Sequence, residues 1–104
     1  MVEKVELTIN SKIKLNNGVE MPLFGLGVYQ SQTGQETKNA VLDSIEAGYI
    51  HVDTAKIYRN EHDVGQAIKE SGMDRKNIFV TTKLWNADQG YDSAIKAFHK
   101  ALKV

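Results

Sequence analysis

The feature that most constrains the fold is an alternation met three times along the chain: a short β-branched or aromatic run, then an amphipathic helical stretch. The first run is residues 23–28, and after a polar loop a helix is expected over 36–47, with Val41, Leu42 and Ile45 at helical spacing. The second run is 49–53, followed by a helix over 61–71 that opens on Asn60 as N-cap and puts Val64, Ala67 and Ile68 on one face. The third run is 78–83, and past a loop over 84–90 a last helix carries Ile95, Phe98 and Leu102 on one stripe. Gly48 and Gly72 stand where glycine ends a helix. Strand starts roughly 25–30 residues apart suit βα units, which place parallel strands side by side with helices packed outside them.

Ahead of these units, residues 12–15 alternate, Asn16-Asn17-Gly18 is a turn signal, and 19–21 resumes the apolar pattern, so a β-hairpin is expected over 12–21. Residues 1–10 read as a polar lead-in. Pro22 separates the hairpin from the first βα run, whose Gly25 and Gly27 could either relieve crowding or admit a ligand to the backbone.

Charge excludes several classes of function. Lys+Arg and Asp+Glu are both 13, so the basic excess of a nucleic-acid protein is missing and no nucleic-acid partner is expected. Zero net charge also removes a repulsive barrier to self-association. There is no cysteine, which rules out disulfides and thiol chemistry and suits a reducing compartment. The charged, alternating start has no signal-like apolar core, and no apolar run approaches the ~20 residues of a membrane span. A soluble, cytoplasmic protein without a membrane partner is the expectation.

Chemistry is expected where the parallel strands end. Gly27-Val28-Tyr29 follows the first run, Asp53 the second and Lys83 the third. In a parallel sheet these ends share one face, the face on which α/β active sites are built. A lone aspartate after a strand is ordinarily a turn residue, and a lone lysine ordinarily a solvated charge. Together at matching strand ends they suggest a site. A lysine there favours the ionised form of a nearby tyrosine, and Tyr58 lies on the loop just beyond Asp53. A tyrosine hydroxyl assisted by lysine and held by aspartate can donate a proton to a carbonyl oxygen. Other motifs fail: Gln30 occupies the third glycine position of a dinucleotide fingerprint, and His51, His62 and His99 lack metal-ligand spacing. His51 is expected to pack inside, and Glu61 to Asp63 to be first-turn charges favoured by the helix dipole.

The segments KLNNGVEMP, LFGLGVY, GYIHVDTAKIYRNEHDVGQAI and IFVTTKLWNADQGYDSA, in that order, resemble the N-terminal part of an aldo-keto reductase. The similarity runs from about Lys12 to the end and is greatest to the microbial and prostaglandin F synthase-like branch. It implies an α/β chain made of an N-terminal hairpin and three βα units of a (β/α)8 TIM barrel, one partial barrel over 1–104 with the units in 23–104. It implies hydride transfer from NADPH to a small aldehyde or ketone, with Tyr58 as general acid and Lys83 and Asp53 as its tuning partners. By the same resemblance Gly27, Val28 and Asp53 lie beside the cofactor, and Tyr29 and Trp85 line the substrate pocket. Tyr29 and Trp85 also read as ordinary core or rim aromatics.

Two departures stand out. Ile50 occupies a position where arginine is common in the family's strand motif, and a helix-facing packing role would absorb it. A complete barrel needs about 250 residues, so the chain is expected to be truncated, without the histidine that follows the fourth strand or the loops that hold the adenosine phosphate. Open sheet edges invite pairing with another chain. The alternative expectation is therefore an inactive fragment that self-associates or binds a full-length relative.

Overall fold

The computed structural model describes residues 6–104, so the first half of the expected lead-in lies outside the described residues. Strands β1 (Lys12–Lys14) and β2 (Glu20–Pro22) form the expected hairpin, pairing Lys12 with Pro22 and Lys14 with Glu20. Its turn holds Gly18 at φ 86° and a bond from the Val19 amide to the Asn17 side chain.

Three short parallel strands follow, β3 (Leu26–Gly27), β4 (His51–Asp53) and β5 (Phe79–Thr81), with β4 in the middle. Their register aligns Leu26, Val52 and Val80 in one row and Gly27, Asp53 and Thr81 in the next. Helix α1 (Gln35–Glu46) links β3 to β4, α2 (Glu61–Ser71) links β4 to β5, and α3 (Tyr91–Lys103) follows β5. Helix bounds agree with the expected ones to within a residue. The strands are shorter than expected: Leu23 and Phe24 stay exposed outside the sheet, with Phe24 leaning on Tyr49 at a ring separation of 5.3 Å.

Alternation along β4 explains why the sheet is two-faced. Val52 points to the helices and is fully buried, while His51 and Asp53 point to the other face. The core is a cluster of Val28, Val41, Val52, Val64, Ala67, Ile68 and Ile78, supplied almost wholly by the first two units. Fully burying a valine side chain is worth about 1.5 kcal/mol or more. Helices α1 and α2 also meet through a Lys38–Glu70 ion pair, and the Gly34 amide at the start of α1 donates to Asp63 of α2 at 2.9 Å. Asp63 is thus a cap for its neighbour as well as a first-turn charge of its own helix.

His51 fastens the hairpin to the sheet. Its Nδ1 lies 3.0 Å from the Pro22 carbonyl, which can only accept, so Nδ1 carries the proton and Nε2 accepts from the Thr81 hydroxyl at 2.8 Å. It is half-buried, as its expected packing role requires.

The third unit leaves an apolar face uncovered. Ile95, Phe98 and Leu102 share a stripe on α3, but they remain 45%, 59% and 68% exposed because no described element covers them. Between α3 and the end of β5 lies a cleft of about 470 Å3, lined by Lys83, Leu84, Trp85, Phe98 and Val104 among others. Among the described residues β3 and β5 each pair only with β4, and no described helix is long and apolar enough to cross a membrane.

Candidate active site

The C-terminal ends of β3, β4 and β5 bring the expected residues together. The first residue past β3 and past β4 each donates to the last residue of the neighbouring strand: the Val28 amide to Asp53 O at 3.1 Å, and the Thr54 amide to Thr81 O at 2.8 Å. On this frame the Lys83 ammonium donates to Asp53 Oδ1 at 2.6 Å and to the Thr54 carbonyl at 2.9 Å. It sits 5.0 Å from the centre of the Tyr58 ring. Tyr58 ends a single 3-10 turn, Lys56–Tyr58, closed by Arg59 in the left-handed region at φ 58°. Tyr29 reaches over from the β3–α1 loop, its ring 5.2 Å from that of Tyr58 and tilted by 54°.

Burial pulls the Lys83 pKa down, but interaction with Asp53 and Tyr58 outweighs it and leaves the value above its ordinary 10.5. Lysine is therefore held charged beside the tyrosine. Both ends of the ion pair are nearly half exposed, at 46% and 43%, so water screens it and its stabilisation is of the order of 1 kcal/mol or less. A raised folded-state value means that this stability is complete below about 10.5 and is lost as the pH climbs through the folded value. Lys83→Met is accordingly expected to melt below the unsubstituted chain at neutral pH, with the two curves converging at strongly alkaline pH. Melting scans across that range check it, and a gap that widens with pH would contradict the ion-pair assignment.

The two glycines of the first run divide the two roles considered for them. A Cβ on Gly25 would lie 2.6 Å from the His51 carbonyl oxygen, so this glycine relieves crowding. A Cβ on Gly27 would meet nothing within 4 Å, and Gly27 is exposed opposite Asp53, so its backbone borders open space at the site. Val28 is buried and anchors the start of the loop that carries Tyr29. Trp85 is half-buried and stands in the cleft beneath α3 with Lys83 and Phe98.

Sequence reasoning passed over several residues that shape this site. Asn60 occupies the N-cap position of α2, but its side chain makes no capping bond. It turns inward, accepting from the Thr54 hydroxyl at 2.7 Å and donating to the Val28 carbonyl at 3.0 Å. Glu61 accepts from the Thr82 hydroxyl at 2.7 Å, and Lys56 pairs with Asp88, so both ends of the Tyr58 loop are tied to the loop after β5. Except for the Thr54–Asn60 bond, which spans six residues, these bonds join positions 21 or more residues apart, and no local pattern announces them.

The fold is a βα assembly that gathers Asp53, Tyr58 and Lys83 at one end of its parallel sheet, and sequence comparison gives the family. The aldo/keto reductase family model matches residues 23–104, and the chain belongs to that family. It is 55% identical over 89 residues to the 9,11-endoperoxide prostaglandin H2 reductase of Trypanosoma cruzi, covering 86% of this chain and 31% of that protein. It is 49% identical over 96 residues to the glyoxal reductase of Bacillus subtilis, covering 92% and 35%. The crystal structure of an aldo/keto reductase from Brucella melitensis superposes with a TM-score of 0.85 at 48% identity, covering 96% of this chain and 37% of that one. A Bombyx mori aldo-keto reductase in complex with NADP superposes with a TM-score of 0.82 at 36% identity, covering 93% and 34%. The chain thus carries a hairpin and three βα units of the aldo-keto reductase barrel, and spans about a third of the length of the relatives it matches.

Proposed function

We propose that residues 1–104 are one partial barrel that supplies the proton-donating part of an NADPH-dependent reductase of small aldehydes and ketones. The observation that carries this reading is the Lys83 ammonium, held on Asp53 at 2.6 Å and placed 5.0 Å from the Tyr58 ring at the open end of the sheet. Tyr58 donates a proton from its Oη to the substrate oxygen. The Lys83 charge stabilises the phenolate left behind, and Asp53 keeps Lys83 from swinging into solvent. Tyr29 and Trp85 are assigned to the walls of the substrate pocket.

The residues present fit the nicotinamide-ribose end of the cofactor. Gly27 leaves open space against the backbone, Val28 fixes that segment, and the half-exposed Asp53 carboxylate can accept from a ribose hydroxyl. When bound, the cofactor supplies the hydride. The relative from Bombyx mori holds NADP, which favours the phosphorylated dinucleotide. With no cysteine to oxidise, the chain suits a reducing cytoplasmic setting.

A second reading rests on a different observation. The apolar stripe of α3, the cleft beside it and the outer edges of β3 and β5 are surfaces that another chain could cover. In that reading the chain is a non-catalytic module that self-associates or binds a longer relative. Titrating NADPH into the 104-residue chain by fluorescence, at several protein concentrations and with light scattering in parallel, separates the two. Saturable binding that tightens as copies associate supports the reductase. Association without NADPH binding supports the module.

A further inference from the structure

Two buried polar side chains have no part in the proton transfer proposed above. Thr54 is 1% exposed and Asn60 0%. An N-cap asparagine ordinarily accepts from an amide of the first helical turn. Here the Asn60 oxygen accepts from the Thr54 hydroxyl at 2.7 Å, and its amide group donates to the carbonyls of Val28 at 3.0 Å and Ser31 at 3.3 Å. The Thr54 carbonyl in turn accepts from Lys83 at 2.9 Å. A run of hydrogen bonds therefore leads from Lys83 through Thr54 and Asn60 to Val28 and Ser31, the two residues that flank the Tyr29–Gln30 turn.

The backbone supports the same arrangement. Gln30, directly after Tyr29, and Arg59, directly after Tyr58, are the two non-glycine residues with positive φ among the described residues, at 64° and 58°. Left-handed conformations are uncommon for such side chains and concentrate where the surrounding structure must hold a site in shape. Arg59 turns the chain so that Asn60 faces inward. From the α1 side, Thr37 fixes the loop by donating to the Gln32 carbonyl at 2.6 Å. Tyr29 itself is exposed, so no core packing holds its ring against Tyr58.

We propose that Thr54 and Asn60 are a positioning pair that sets the Tyr29 ring against Tyr58, and with it the direction of the Tyr58 hydroxyl relative to Lys83. The use made of that hydroxyl rests on the reductase reading, whereas the placement of the rings does not. The test is nuclear magnetic resonance of the 104-residue chain with isotope-labelled tyrosine rings and valine methyls, without cofactor or carbonyl. The Tyr29–Tyr58 ring cross-peak is expected in the unsubstituted chain and in Thr54→Ser, which keeps the hydroxyl. It is expected to vanish in Thr54→Val and in Asn60→Ala, with the methyl signals of Val41, Val52 and Val64 unmoved. An undiminished cross-peak in Thr54→Val overturns the proposal. So does collapse of the valine signals in Thr54→Val, since the pair would then be holding the core. Should Asn60→Ala fail to fold, the Thr54 pair of variants decides alone. Loss of reductase activity or its absence leaves this readout untouched.

Discussion

Tyr58→Phe is expected to lower aldehyde-dependent NADPH oxidation by about 10²–10⁴-fold, the range that a positioned general acid contributes. The substitution removes one hydroxyl and little else. The ring stays available to Tyr29, 5.2 Å away, and to the Lys83 ammonium, 5.0 Å away. Tyr58 is only partly buried, so its loss of a polar atom leaves no deep orphaned partner. Cofactor binding and melting temperature should therefore move little while turnover falls. Initial rates followed by NADPH absorbance, in the assembled form that binds the cofactor, check this. A drop smaller than tenfold would mean that another group delivers the proton.

The second large effect is on stability. Gly25→Ala is expected to destabilise the chain by about 2–3 kcal/mol, the scale of forcing an extra methyl against backbone that must shift to admit it. The new methyl would stand 2.6 Å from the His51 carbonyl oxygen and 2.9 Å from its Cβ. His51 cannot retreat, because its ring is held by the Pro22 carbonyl on one side and the Thr81 hydroxyl on the other. At about 4–8 °C per kcal/mol for a domain of this size, the melting temperature should fall by roughly 10–20 °C. Gly27→Ala is the matched control. Its methyl meets nothing within 4 Å, so stability should change by less than about 0.5 kcal/mol. NADPH affinity should weaken, however, because that methyl enters the space assigned to the nicotinamide. Equal losses of melting temperature in the two variants would remove the distinction drawn between these glycines.

Both predictions depend on features that differ in how far the sequence reveals them. Asp53 and Lys83 were legible as a pair because each ends a β-branched run and strand ends in a parallel sheet must share a face, and Tyr58 because it follows on the loop beyond Asp53. The two glycines were legible only as a pair of options. Which one is crowded depends on where His51 lies, and His51 is 26 residues further along the chain.

Asn60 shows the same limit of local pattern. Asparagine just before a helix is ordinarily a cap, and the helix starts where that signal says it does. The side chain turns away because two carbonyls from the β3–α1 loop and the Thr54 hydroxyl offer it three partners in a buried position. Helix α3 is the converse case. Its stripe at helical spacing predicts a buried face, yet Ile95, Phe98 and Leu102 remain exposed. Periodicity states that a face is apolar, while burial requires a neighbour to cover it.

By itself, then, the sequence determined the hairpin, the three strand–helix units, their helix bounds and the three polar groups at the strand ends. These follow from spacing, turn chemistry and helix-ending glycines, all of which act over a few residues. Tertiary structure alone decided the short strands, the inward turn of Asn60, the division of labour between Gly25 and Gly27, and the uncovered face of α3. Each of these is set by which distant groups come into contact, and contacts between residues far apart in the chain exist only once the chain has folded.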